Sequence, residues 1–362
     1  MATPPPMTGQ SIAGKWLIDD LIKREQPFTL INFRKNNFKQ GFSSSSERLK
    51  EILDIFLKIL RERRSCSRVY YVISQSLAGN IRDLVFLWLL RNKNISVHLH
   101  GGGIYETVFK RSALLRVLNR YVLSKVDRVI VLGESLKTCF SDMGIDDSLV
   151  LIENGVDDIF LEAKNANTKY HDTRKLKWLF LSNMIPGKGH WEFLAAIEML
   201  EEGARSKIEF TFVGDFENLI EKEKFMKKLL SLGSSVRYLG VLYGAEKLKV
   251  LEESHVFCLP TYYAYEGQPI SILEAYASGC VVVTTKHNGI VDIFKPGLNG
   301  YQVEKESVTN LLEVIQEISS SDKELLLKIS LYNQQVGRSQ FSKKKYLDRL
   351  YGVIMNDSAS ST

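Results

Sequence analysis

Short apolar, β-branched runs alternate with longer stretches of helical period along most of the chain. Strand-like runs fall at residues 28–33, 69–73, 95–99, 126–132 and 149–152, then again at 178–181, 208–213, 236–239, 256–259 and 281–285. Between them, 46–63, 79–91, 110–125, 190–201 and 222–232 read as amphipathic helices. Such alternation predicts parallel sheets covered by helices on both faces. The run 162–175 is polar and has no hydrophobic period, which reads as a linker, and an Asn-Gly turn at Asn154-Gly155 precedes it. The pattern therefore predicts an amino-terminal domain over 1–165, a second over 166–340, a Lys-rich terminal helix over 341–356 and a small, polar, disordered tail over 357–362. In open parallel sheets ligands bind beyond the carboxyl ends of the strands, so the chemistry is expected in the loops that lead from strand to helix.

A length of 362 residues suits two α/β cores better than one. Composition, at 44% hydrophobic and 25% charged, is that of a globular protein and excludes disordered and fibrous classes. The four cysteines, Cys66, Cys139, Cys258 and Cys280, stand singly; no C-x-x-C pair suggests a zinc site, and a reducing compartment is expected. The start lacks a basic then apolar signal pattern, and no apolar run approaches the ~20 residues of a membrane span. A cytoplasmic protein, peripheral on the cytoplasmic face of the membrane where it touches lipid, is the expectation. Charge is uneven. The net +6 conceals 25 Lys+Arg against 18 Asp+Glu in residues 1–170, so the excess positive charge lies in the first half and points to an anionic partner there.

The most informative stretch runs from Leu259 to Gly279 as strand, loop and helix. Pro269 stands at the first turn of that helix, and Gly267 and Gln268 precede it. Free backbone N–H groups at such a start make an anion site, and Gly267 permits close approach. Glu266 and Glu274 are eight residues apart, and each carboxylate can accept hydrogen bonds from a pair of sugar hydroxyls. For either acid alone the simpler reading is one acid favoured by the helix dipole and one on a solvent face.

With its neighbours, this segment resembles the E-x7-E signature of retaining glycosyltransferases of family 4. Asn154-Gly155-Val156-Asp157 is similar to that family's N-G-V-D turn, and Gly187-Lys188-Gly189 to its phosphate-binding K-G. Tyr238-Leu239-Gly240 is similar to its base-pocket border, and Pro296 to Gly300 to its P-x-x-N-G turn. The resemblance implies the GT-B fold: two Rossmann-like domains facing a central cleft, with the carboxy-terminal helix crossing back to the first domain. It implies that Glu274 binds the donor ribose, that Glu266 with the backbone of Gly267, Gln268, Pro269 and Ile270 holds the donor sugar and its phosphates, and that Lys188 neutralises the leaving diphosphate. A fixed Lys and a helix start can stabilise that charge without a metal. No D-x-D pair is present, Asp215-Phe216-Glu217 being the nearest, so neither a metal nor another cofactor is expected. Where the family often has Gly-Arg this chain has Ser182-Asn183; Asn183 lies at the donor phosphates but supplies no guanidinium fork.

In the first half, His100 follows a strand and opens a triple glycine, Gly101 to Gly103. Family members commonly carry a histidine there beside the transferred sugar, which makes His100 a candidate catalytic residue; a hydrogen-bonded loop histidine is the alternative. Gly9, before a helical segment, resembles the first glycine loop of the GT-B fold, although residues 1–6 are too short for the usual first strand, implying a vestigial strand or a truncated start. Residues 109–125 form a basic amphipathic stretch in which Lys110, Arg111, Arg116, Arg120 and Lys125 interleave with leucines, and Arg61, Arg63 and Arg64 cluster nearby. Anionic lipid is the partner considered for that charge; nucleic acid ranks below it, since no binding motif appears. The function expected is transfer of a hexose or N-acetylhexosamine from a nucleotide sugar, UDP-linked, to a lipid-diphosphate-linked or saccharide acceptor in surface polysaccharide assembly. The alternatives are a nucleotide-sugar epimerase, a phosphorylase, or a non-catalytic nucleotide-binding or membrane-docking subunit.

Overall fold

A computed structural model describes residues 8–32, 45–170 and 175–355. The chain divides into two units, the first holding Met1–Asn154, Tyr265–Gln268 and Lys344–Thr362, the second Gly155–Ala264 and Pro269–Lys343.

The first unit opens with helix α1 (Gly9–Lys23), started by a capping box in which Thr8 Oγ1 accepts from the Ser11 N–H at 3.1 Å and the Ser11 hydroxyl accepts from the Thr8 N–H. Helix α2 (Ser45–Glu62), strand β1 (Arg68–Val72), helix α3 (Leu77–Leu90), strand β2 (Asn94–Leu99), helix α4 (Ala113–Leu123), strand β3 (Arg128–Val131) and strand β4 (Leu149–Leu151) follow. Ser76 and Ser112 cap α3 and α4. The four strands pair in parallel in sequence order, β1-β2-β3-β4. The expected strand at 28–33 does not form over residues 28–32; residue 33 lies outside the described residues. Pro27–Ile31 instead lines a cavity of about 510 Å³ beside the edge strand β1, together with Leu17, Ile59, Val69 and Tyr71 among others. Residues 1–6, read as too short for the usual first strand, and the tail 357–362 also lie outside the described residues.

The second unit alternates β5 (Leu176–Leu181), α5 (His190–Met199), β6 (Ile208–Val213), α6 (Leu219–Ser231), β7 (Val236–Tyr238), α7 (Gly244–Glu253), β8 (Val256–Leu259), α8 (Ile270–Ala277), β9 (Val281–Thr285) and β10 (Gly300–Val303), then α9 (Val308–Ser320) and α10 (Lys323–Gln340). Its six parallel strands run in the order β10-β9-β8-β5-β6-β7, the doubly wound arrangement whose direction of winding reverses between β5 and β8. Trp178 and Phe180 from β5 and Phe210 and Phe212 from β6 are fully buried against Phe193 and Phe225, with ring centroids 5.2–6.2 Å apart in edge and tilted pairs. The last helix, α11 (Lys343–Met355), belongs from Lys344 onward to the first unit, where Tyr346 meets Trp16 of α1 edge-on at 6.3 Å.

The polar run at 162–175, read above as a linker, packs within the second unit, and the units part at Asn154 instead. Polarity did not keep it out of the fold because its polar groups are bonded: the buried Lys169 ammonium donates to the Leu251 and Ser254 carbonyl oxygens, both at 2.9 Å, and Gln334 accepts from the Ala166 N–H at 3.0 Å. Residues 171–174 of that run lie outside the described residues.

Candidate functional site

In the second unit the winding reverses between β5 and β8, and the loops beyond their carboxyl ends hold Asn183, Lys188 and the segment that leads to Pro269. The loop after β5 contains Lys188 between Gly187 and Gly189, whose φ angles are +88° and +83°. Side chains there would be strained, and they would also meet neighbours: a Cβ on Gly187 would lie 3.0 Å from the Tyr263 Cα, and one on Gly189 would collide with the Pro260 carbonyl. The Tyr262 N–H donates to the Gly187 carbonyl at 2.7 Å, tying the β5 loop to the β8 loop. Lys188 lies with its ammonium 4.9 Å from the Tyr263 ring centroid. Asn183, partly exposed, sits where β5 ends; the chain there is held by the Met184 N–H donating to the Asp215 carbonyl at 2.7 Å.

Glu274 is the fifth residue of α8, whose N-cap is Pro269 and whose first residue is Ile270. Its carboxylate is 4% exposed and takes the Lys247 ammonium of α7 at 2.8 Å on Oε1 and 2.5 Å on Oε2. Burial raises the Glu274 pKa above the ordinary carboxylate value, and the Lys247 charge pulls it back. Lys247 also stands 5.5 Å over the Phe160 ring. Sequence reasoning missed this lysine, because a pair 27 residues apart on two helices has no spacing signal.

The remaining site residues belong to the first unit. Tyr265–Gln268 lies against the triple-glycine loop after β2: the Gly102 N–H donates to the Glu266 carbonyl at 2.8 Å. Gly101 and Gly267 are required by the same contact, since a Cβ on either would strike the Tyr265 or the His100 carbonyl oxygen. The Glu266 side chain is buried there. Gln268 acts as a strap: its amide nitrogen donates to the Leu132 carbonyl at 2.6 Å, and its amide oxygen accepts from the Asn154 N–H at 3.1 Å. Its side chain is thereby engaged, and the part that the resemblance implies for Gln268 is one for its backbone. Gln75, also unforeseen, accepts from the Gly103 N–H at 2.7 Å.

His100 stacks on His98 with ring centroids 3.9 Å apart, and His98 Nδ1 meets the Tyr70 hydroxyl at 2.7 Å. Burial lowers the His100 pKa to about 4, and burial together with the neighbouring His100 pushes His98 well below its usual value, so both rings are neutral at pH 7. Gly9 is the first residue of α1, next to the Thr8 cap. Of the site residues read from the sequence, the first unit holds Gly9, His100, Glu266, Gly267 and Gln268, and the second holds Asn183, Lys188, Pro269, Ile270 and Glu274. The two acids of the E-x7-E pattern fall in different units. Among the described residues no three His, Cys, Asp or Glu side chains converge as metal ligands would.

Comparison with known proteins matches residues 162–336 to the family model of glycosyl transferases group 1. The chain is 22% identical over 276 residues to the amylovoran biosynthesis glycosyltransferase AmsK of Erwinia amylovora, covering 71% of this chain and 62% of that protein. It is 24% identical over 234 residues to a UDP-Gal:alpha-D-GlcNAc-diphosphoundecaprenol alpha-1,3-galactosyltransferase of Escherichia coli, covering 62% of this chain and 59% of that one. The matches thus span about three fifths of these relatives' length. Among solved structures, WaaG, a glycosyltransferase involved in lipopolysaccharide biosynthesis, superposes with a TM-score of 0.71 at 13% identity over 99% of both chains. Anabaena HepE in complex with UDP and glucose gives 0.66 at 15% identity, over 92% of this chain and 87% of its own. These likenesses show the GT-B fold, with two parallel-sheet Rossmann-like domains, and residues 162–336 of this chain match the model of the glycosyl transferases group 1 family.

Proposed function

We propose that this chain is a glycosyltransferase that moves a hexose or N-acetylhexosamine from a UDP-sugar to a lipid-diphosphate-linked or saccharide acceptor, with retention of configuration and without a metal. The observation that carries the reading is the pairing of functions at the β5–β8 reversal: Lys188 is fixed between two left-handed glycines, and Glu274 is held ready on the adjoining helix by Lys247. Glu274 would take the donor ribose hydroxyls. Lys188 and the start of α8 would receive the diphosphate. The bond from the anomeric carbon to the diphosphate breaks as the acceptor oxygen bonds to that carbon from the same face, and the acceptor proton passes to the departing phosphate oxygen. No protein nucleophile is needed. Glu266 and the neutral His100 of the first unit would hold hydroxyls of the transferred sugar; a neutral imidazole can donate from one nitrogen and accept at the other.

Support for the donor comes from HepE, solved with UDP and glucose, and for the acceptor from the diphosphoundecaprenol-linked substrate in the name of the Escherichia coli relative. A lipid-linked acceptor would bring the first unit to a membrane surface, with the basic helix α4 as its contact. The reading is tested by metal-free incubation with UDP-, GDP- and ADP-sugars, scoring nucleotide release by wild type and Glu274→Ala. Release from one donor, unchanged by EDTA and reduced ~100-fold or more in the variant, is expected, in line with loss of a preorganised contact to the reacting donor. Activity that vanishes in EDTA and returns with a divalent cation would remove the metal-free mechanism. Failure to bind any nucleotide sugar would remove the reading as a whole.

A further inference from the structure

Strand β2 sends alternate side chains to opposite faces of the first unit's sheet. Val97 and Leu99 enter the core that also holds Ile59 of α2, Phe86 of α3 and Leu123 of α4. His98 therefore takes the other face, and His100, two residues further on, follows it just past the end of the strand. His98 is fully buried, whereas His100 is partly exposed.

The buried imidazole is a poor core filler. Its Nδ1 meets the Tyr70 hydroxyl of β1 at 2.7 Å, but its Nε2 is buried and has no hydrogen-bond partner among the described residues. An interior nitrogen left unpaired costs about 1–3 kcal/mol, and a leucine or phenylalanine would fill the same volume without that cost. Burial raises the Tyr70 hydroxyl well above the ordinary tyrosine value, so it keeps its proton and can donate to Nδ1. The two rings meet edge-on, with centroids 5.9 Å apart and planes at 75°. Tyr70 thus fixes a ring that packing alone does not call for.

The reason lies in the ring stacked on it. Neither ring nitrogen of His100 has a hydrogen-bond partner among the described residues. The aromatic contact that His100 makes is the stack on His98, with centroids 3.9 Å apart and planes at 27°. A stack holds an imidazole by its face and leaves both nitrogens free at the edge, where an anchoring hydrogen bond would have occupied one of them. A neutral histidine that both donates to and accepts from sugar hydroxyls needs the two together. Both rings are uncharged at pH 7, so no repulsion opposes the stack.

We propose that His98, anchored by Tyr70, is the positioning residue that fixes the His100 ring with its two free nitrogens toward the hydroxyls of the transferred sugar. This rests on the reading of His100 as a residue that holds that sugar. His98 is too deeply buried to touch a ligand itself and acts through His100 alone. It also lies apart from Lys188 and Glu274, which belong to the second unit, so its loss leaves the residues proposed for the nucleotide in place. A displacement of about 1 Å at a group that orients the reacting sugar can cost about a hundredfold in rate.

The test compares His98→Leu with His98→Phe in the full chain, since both fill the space but only phenylalanine offers a flat ring to stack on. With the donor that the panel of UDP-, GDP- and ADP-sugars selects, His98→Leu should lower kcat about tenfold or more and leave the donor KM within about twofold. His98→Phe should recover most of that loss. In a His100→Ala background the added His98→Leu should change kcat by less than about twofold, because no ring is left to position. Tyr70→Phe removes only the anchoring hydroxyl and serves where His98→Leu does not fold; its loss should be about threefold and likewise vanish in His100→Ala. Equal losses in the leucine and phenylalanine variants, or an undiminished loss in the His100→Ala background, would mark a packing role and overturn the proposal. Spectra of histidine-labelled protein read the positioning without turnover. The His100 ring should give one ring-current-shifted signal in wild type and His98→Phe, and a displaced or split one in His98→Leu; the same signal in all three overturns the proposal. Should wild type release nucleotide from no donor, the functional reading falls by itself and these spectra decide the positioning.

Discussion

The two units are built on the same plan and finish it differently. In the second, α8 is covered on all sides: seven of its eight residues are buried, and α10 packs along it so closely that a Cβ on Gly337 would strike the backbone of Ala277. In the first, α3 and α4 bury one stripe against the sheet and leave the other in solvent. A Rossmann-like layer of helices is thus covered where a further helix is supplied and open where none is. Each unit buries both kinds of polar pair, Arg82 with Asp83 in the first and Asn299 with Asn333 in the second, but one helix pair in each shows a contrast. The first joins α3 to α4 with neutral amides, Asn80 and Asn119, whereas the second joins α7 to α8 with a full ion pair, Lys247 and Glu274.

That contrast gives the largest expected effect on stability. Lys247→Ala leaves the Glu274 carboxylate buried with its partner gone, and the expected cost near neutral pH is about 3–5 kcal/mol. The cost should shrink as pH falls. Without Lys247 the folded-state pKa of Glu274, already raised by burial, rises further above its unfolded value, so the folded form gains stability below that value and loses it as pH rises through the folded one. The double change Lys247→Met/Glu274→Leu should recover much of the loss while abolishing donor binding. Thermal melts of the three proteins at pH 5 and pH 8 check this. If the single variant melts like wild type at both pH values, the pair is not an energetic counterpart of the amide clip and the comparison breaks.

How much of this was legible from residues alone also divides between the units. Nine of the ten strands anticipated from apolar runs form, because a parallel strand buried on both faces must be apolar throughout. The one missed, β10, is an edge strand reading Gly-Tyr-Gln-Val, half polar because one edge and part of one face are open. Residues 28–32 failed in the opposite sense: they have the composition of a strand but form none and line a cavity beside β1, and composition reports burial without reporting pairing. The donor side of the site was legible because it is compact in sequence, with glycine, lysine and acid set by loop geometry. Lys247 and the outward stripes of α2 and α3 were not, since a helical period announces one buried face and leaves open what the other face meets. Gln268 reads as a ligand residue beside a helix start, yet its amide holds Leu132 and Asn154, a partnership 136 and 114 residues distant.

Acid sharpens the comparison at a smaller magnitude. In the second unit, burial lowers both His190 and His255 to about 4. A histidine whose folded pKa lies below its unfolded value of about 6.5 contributes stability above that value and loses it as pH falls toward the folded one. Each fully buried ring should therefore cost of order 3 kcal/mol between pH 6.5 and pH 4. His190 is the clean case. Its ring sits among Phe180, Trp191, Phe216 and Phe225, and its Nδ1 has no hydrogen-bond partner among the described residues. His190→Phe should keep the packing and flatten the acid limb of the stability curve by up to one proton. In the first unit His98→Phe should flatten it too, but at the expense of the Tyr70 hydroxyl, which loses its 2.7 Å partner. Denaturant midpoints from pH 7 to pH 4 measure both slopes; an unchanged slope in His190→Phe would show that its burial does not govern the titration.

The smallest effect, that of Arg24, concerns what closes the first unit. Its terminal helix α11 meets α1 through ions and through rings: Arg24 holds Asp20 at 2.7 Å and Asp348 at 2.5 Å and lies 4.4 Å from the Tyr351 ring centroid, while Trp16 and Tyr346 pack edge-on below. The ions are the more conspicuous, yet Asp348 is 42% exposed and also serves Lys344, so water and a spare partner both stand in when Arg24 is removed. Exposed pairs of this kind are worth about 0–1 kcal/mol and less in salt. The rings are different: Trp16 and Tyr346 are 6% and 3% exposed, and truncating a buried aromatic costs about 3–5 kcal/mol. Arg24→Met should accordingly move the urea midpoint little and not at all at high salt, and Trp16→Ala should move it several times further. Should Arg24→Met prove the costlier of the two, the terminal helix would be held electrostatically, and the first unit would resemble the second in relying on paired charge after all.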